Sequence, residues 1–84
     1  MKNDVLKLIE VNKGDFSKGQ RQIAAFVTEH YDKAAYMTAS KLGKTVGISE
    51  STVVRFASEI GFEGYPELQK SLQQLISNKL TSVQ

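Results

Sequence analysis

The sequence predicts an all-α fold, a compact bundle of about five helices, and three observations carry that prediction. Apolar residues recur three or four apart along most of the 84-residue chain, the spacing of one helix face. Residues that start and stop helices fall between these runs. No stretch alternates as a strand would, and there is no internal repeat or low-complexity tract. At this length the chain makes one small domain, burying about 60 to 65% of its unfolded surface.

The elements follow in order. Asn3 caps a first helix running to about Val11, and Asn12-Lys13-Gly14 ends it. Val5, Leu8 and Ile9 share one side and Leu6 lies on the flank, so this helix either lies on the core or pairs with a second copy. Ser17 and Gln20 form an S-x-x-Q capping box, in which each side chain satisfies the other's backbone N–H, and a helix follows to about His30. Ile23, Ala24, Phe26 and Val27 make its buried stripe, with Lys18, Arg21 and Gln22 outside, as a solvated face or a phosphate contact. His30 suits the negative end of the helix dipole. Ala34, Ala35, Tyr36 and Met37 form an apolar knot around a short turn of helix, and Tyr36 and Met37 are expected in the core.

The central stretch, Thr38 to Gly61, reads as two short helices with a tight turn between them. Thr38 caps the first, which buries Ala39, Leu42 and Val46; the second buries Val53, Phe56, Ala57 and Ile60. Gly47 stops one helix in the left-handed conformation and Ser49 caps the next. Ile48, held between the caps, points inward as a wedge, and Gly43 lets the two backbones approach. By its mechanics this is a helix-turn-helix. The last helix begins at Pro66 as its first residue and runs to about Leu80, with Leu68, Leu72, Leu75, Ile76 and Leu80 as its stripe. Residues 81–84 are expected to fray.

Two amphipathic helices around a glycine turn also occur in bundles that never meet nucleic acid. The outward face of the second helix favours DNA: Glu50, Ser51, Thr52 and Arg55 are polar side chains at its N-terminal end, where a recognition helix meets base edges. Ser51 and Arg55 stand four apart where a structural surface helix more often carries a Lys–Glu pair. Arg55 has the reach for a bidentate contact to guanine, or else a salt bridge to Glu59 or Glu50. Ser51 and Thr52 suit base edges or a thymine methyl, and Ser49 with the helix N-terminus suits a phosphate. Lys41 and Lys44, on the exposed side of the preceding helix, suit the DNA backbone. The expected partner is therefore double-stranded DNA, with a protein-interaction module as the alternative.

The run GISESTVVRFASEIGFEGYPELQ resembles the N-terminal domain of the RpiR family of bacterial transcription regulators, whose serine-started recognition helix ends in TVVRF and is followed by a Gly-Phe-x-Gly-Phe/Tyr-Pro-Glu-Leu segment. The resemblance continues upstream through FSKGQRQIAAFV and AAYMTASKLGKTVG, so it spans Phe16 to Leu68. The family usually has a proline near Tyr31, which this chain lacks. The resemblance implies a helix-turn-helix DNA-binding domain over residues 1–80, leading from a frayed tail into a sugar isomerase-type domain that is absent here. That absent domain would bind a phosphosugar effector and place the parent protein in control of sugar metabolism genes.

Composition removes other classes. The chain has no cysteine and one histidine, which leaves no metal or cofactor constellation. No glycine loop cradles a phosphate and no carboxylate pair shares an obvious pocket, so an enzyme is not expected. No apolar run reaches the length of a membrane span, and charge interrupts the N-terminus too often for a signal peptide, so the expected location is the cytoplasm. The net charge of +2 is a modest footprint for DNA, so one copy should bind feebly, and the working form is expected to be a homodimer.

Overall fold

The computed structural model describes residues 5–82. Six α-helices follow one another with no strand among the described residues: α1 (Val5–Asn12), α2 (Lys18–Glu29), α3 (Tyr31–Ala34), α4 (Ala39–Val46), α5 (Glu50–Glu59) and α6 (Tyr65–Ser82), with a 3₁₀ turn at Lys13–Asp15. The helix beyond the expected five is α3, a single turn.

Val5 and Ile9 are buried and Leu8 packs against them, so α1 lies on the core. Its expected cap, Asn3, lies outside the described residues. Asn12 closes α1 by donating from Nδ2 to the Leu8 carbonyl at 2.8 Å. The capping box of α2 forms as expected: Gln20 N–H donates to Ser17 Oγ at 3.2 Å and Ser17 N–H to Gln20 Oε1 at 2.8 Å. Phe16, just before this cap, is buried and meets Phe56 of α5 with ring centroids 5.3 Å apart, tying the start of α2 to the inner face of α5.

The break between α2 and α3 forms without the proline. His30 leaves helical geometry (φ −132°, ψ 46°), and its carbonyl accepts the N–H groups of Lys33 and Ala34, so one residue ends α2 and starts α3. This placement corrects the expectation for Tyr36. Ala34 and Ala35 are fully buried, which brings the backbone of this turn too close to the core for larger side chains, and Tyr36 is turned out with 70% of its surface exposed. Met37 is half-buried.

The long helix α6 closes the bundle. It starts at Tyr65, which makes Pro66 its second residue rather than its first; a proline is accommodated at either place because the first-turn N–H groups have no partner within the helix. Leu68 and Leu72 are fully buried, Leu75 and Ile76 are half-buried, and the side chain of Leu80 lies outside the described part. The α6 backbone runs to Ser82, past the expected end, and residues 83–84 lie outside the description. Polar groups on α6 hold the α3–α4 connection: Tyr65 donates its hydroxyl to the Met37 carbonyl at 2.6 Å, Gln69 donates to the same carbonyl at 3.1 Å, and Gln73 donates to that of Ala35 at 2.9 Å. These carbonyls lie in the connection between helices, and α6 satisfies them in partly buried surroundings. Burial pushes the Tyr65 phenol up to about 12.

Ile23, Val27, Leu42, Val53, Phe56, Ile60, Leu68 and Leu72 form the centre of the core as expected. Phe26, Val46 and Ile48, also expected there, are half-buried at its rim. Val46 ends α4 and Ile48 sits in the turn after it, while Phe26, in the last turn of α2, meets His30 with ring centroids 5.2 Å apart.

Candidate nucleic-acid interface

Helices α4 and α5 form the helix-turn-helix, and the turn between them is set by backbone chemistry. Gly47 closes α4 at φ 87° and ψ 30°, a left-handed conformation that costs a residue with a Cβ about 1 to 2 kcal/mol. The N–H groups of Gly47 and Ile48 both donate to the Gly43 carbonyl, at 2.7 and 2.8 Å. Gly43 also supplies the close approach: a Cβ built there would stand 2.5 Å from the Ile48 carbonyl oxygen. Ile48 then reaches α2, where its Cδ1 would lie 3.4 Å from a Cβ placed on Gly19. The turn is thus pinned to α4 by its backbone and to α2 by one side chain.

Thr38 caps α4 by accepting from Lys41 N–H at 3.1 Å, and Ser49 caps α5 by accepting from Thr52 N–H at 3.3 Å. At the far end, Gly61 (φ 108°) lets Phe62 N–H reach the Ala57 carbonyl at 3.0 Å, which finishes α5. With Val53, Phe56 and Ala57 fully buried, the angular position of α5 is set, and its outer face follows from that.

Glu50, Ser51, Val54, Arg55 and Ser58 share that outer face and line one shallow, open depression of about 500 Å³. Glu50, Ser51 and Arg55 are exposed, and no carboxylate pairs with the Arg55 guanidinium among the described residues. The salt bridge to Glu59 or Glu50 therefore does not form, and the guanidinium keeps its donors for another partner. Thr52 is placed differently from its neighbours. It is half-buried, with its methyl group turned toward Gly19 of α2 and its hydroxyl 2.9 Å from that of Ser49. Ser49 is exposed and carries the cap, with Ser51 Oγ 3.3 Å away. Lys41 and Lys44 are exposed on α4. Val54 was not among the residues singled out in the sequence. The signal that marks it is its register: it is an apolar residue one position out of step with the buried set at 53, 56, 57 and 60.

Among the described residues no helix is long and apolar enough to cross a membrane. No group of three His, Cys, Asp or Glu side chains gathers as a metal site among them either.

The model of the helix-turn-helix domain of the rpiR family matches residues 3–79. Relatives of this chain include three named as HTH-type transcriptional regulators. HexR of Pseudomonas aeruginosa is 31% identical over 78 residues, which cover 93% of this chain and 27% of HexR. An uncharacterized regulator of Clostridium perfringens is 28% identical over 75 residues (89% of this chain, 27% of the relative). The uncharacterized YfhH of Escherichia coli is 25% identical over 77 residues (92% and 27%). This chain therefore spans about a quarter of the length of these relatives. No solved structure matches it. With an α4–turn–α5 unit pinned through Gly43, Gly47 and Ile48, and with the family model matching the chain over nearly its whole length, the chain belongs to the rpiR family as its helix-turn-helix, DNA-binding domain.

Proposed function

We propose that this domain binds specific DNA sequences by laying α5 in the major groove, as part of a transcription regulator. The exposed outer face of α5 carries this reading, above all an arginine that no carboxylate of the described residues occupies. Arg55 donates two hydrogen bonds to a guanine, Ser51 and Glu50 meet neighbouring base edges, and Ser49 with the first N–H groups of α5 receives a phosphate. Lys41 and Lys44 hold the backbone on the α4 side. Thr52, turned toward α2, has its place beside the phosphate rather than at a base.

One copy presents one recognition helix and a net charge of only +2, so few phosphates are neutralised per chain. The working form is a homodimer in the cytoplasm, with two α5 helices in successive major grooves about 34 Å apart. In the whole regulator a second domain binds a phosphosugar and sets the expression of sugar metabolism genes. Sedimentation of the full-length parent at micromolar concentration should show a dimer, and monomer alone would refute that part.

DNA binding itself is tested by selecting a preferred site from a random pool and titrating it against random DNA at several salt concentrations. The expected result is tighter binding to the selected site and a loss of affinity for both as salt rises. Indifference to DNA of any sequence would instead favour a protein-interaction module.

A further inference from the structure

Val54 is out of place for a residue that serves only the fold. Its neighbour Val53 is fully buried, while Val54 is 41% exposed in the middle of the α5 outer face. Glu50 and Ser51 lie one turn before it, Arg55 beside it and Ser58 one turn after, all lining the same depression. A β-branched side chain loses rotamer freedom in a helix, and here it stands outside the buried core. Stability alone does not call for valine at this position.

We propose that Val54 is a specificity-determining residue that reads thymine, packing its methyl groups on the C5-methyl of that base in the major groove. The proposal rests on α5 being the recognition helix. Thymine is the base that presents a methyl group there, and an apolar side chain recognises it by contact. Against cytosine the same side chain covers an N4 amino donor and offers no acceptor, so wrong pairing costs that donor its water. Arg55 is the adjacent residue, only about 1.5 Å further along the helix axis. The thymine read by Val54 therefore lies within about two base pairs of the guanine read by Arg55, at about 3.4 Å per step.

The test removes the C5-methyl group from the base side of the contact and the two γ-methyl groups from the protein side. Each thymine of the preferred site is replaced in turn by deoxyuridine, which differs only by that methyl, and Kd is measured by fluorescence anisotropy with the native chain and with Val54→Ala. One position near the guanine should lose about four-fold in affinity with the native chain, the worth of one buried methyl group. Val54→Ala should bind the thymine site more weakly by a similar factor and be indifferent to uracil at that position alone, while other positions respond as before. A melting curve matching the native one shows that the variant is folded. If Val54→Ala and the native chain respond alike to uracil at every position, or if the preferred site has no thymine near the guanine, the assignment of Val54 is overturned while DNA binding stands. If the native chain prefers no sequence at all, both readings fall together.

Discussion

Replacing Gly43 by alanine tests the geometry on which the whole interface depends. In an ordinary helix interior this change stabilises by about 1 kcal/mol, because alanine loses less backbone freedom on folding. Here the added Cβ would stand 2.5 Å from the Ile48 carbonyl oxygen, whereas ordinary contacts begin at 3.4 Å, so the two backbones must part by about 0.9 Å. Ile48 cannot retreat alone. Its N–H and that of Gly47 are bonded to the Gly43 carbonyl at 2.8 and 2.7 Å, and its side chain rests over Gly19 on α2. Overpacking of this kind costs about 1 to 3 kcal/mol, and stretching the two hydrogen bonds adds up to about 1 kcal/mol each. After subtracting the gain in helix propensity, a net loss of about 2 kcal/mol is expected. For a domain of this size that lowers the melting temperature by about 8 to 16 °C, measurable by far-UV circular dichroism. Gly19→Ala is the control: its Cβ would meet only side-chain ends at 3.4 Å or more, so the change should stay under about 1 kcal/mol. A Gly43→Ala variant as stable as the native chain would show that α4 and the turn are not held together through this contact.

Gly47→Val should cost on the order of 1 to 2 kcal/mol or more, entirely as backbone strain at φ 87°, since no atom lies within 4 Å of the new Cβ; an unchanged melting temperature would contradict that. Arg55→Ala should weaken the preferred site by about 1 to 3 kcal/mol and relax choice at one base, with little effect on random DNA. Arg55→Lys should be nearly as damaging, because it keeps the charge and loses the planar fork; full discrimination by lysine would pass recognition to its neighbours. Lys44→Ala should weaken selected and random DNA alike and reduce the salt slope by about one. Tyr65→Phe removes a 2.6 Å hydrogen bond worth about 1 kcal/mol. Because the folded Tyr65 has its pKa raised from 10 to about 12, its contribution is complete below pH 10 and is lost as pH climbs toward 12, a loss that urea titrations should find missing in the phenylalanine variant.

What the sequence determined by itself was local. The Ser17–Gln20 box, the Thr38 and Ser49 caps and the Gly47 stop were all legible, since each is a contact between residues close in the chain whose chemistry does not depend on the rest of the fold. The same holds for the inner face of α5, where one run of residues at helical spacing decides what is buried. Gly43 was legible for a similar reason, with its partner Ile48 only five residues away. Tertiary structure alone decided the rest. Tyr36 looked like core by composition, but a one-turn α3 that buries Ala34 and Ala35 left it facing outward. The roles of Tyr65, Gln69 and Gln73 are not legible in the sequence, because the carbonyls they satisfy lie 28 to 38 residues upstream, beyond any local pattern. Thr52 belongs by sequence to the polar face of α5, and only the packing of Gly19 from α2 against its methyl turns it aside. The freedom of Arg55 was equally invisible: Glu50 and Glu59 both stand within helical reach in the sequence, and which pairs form depends on how side chains settle once the helix is seated on its core.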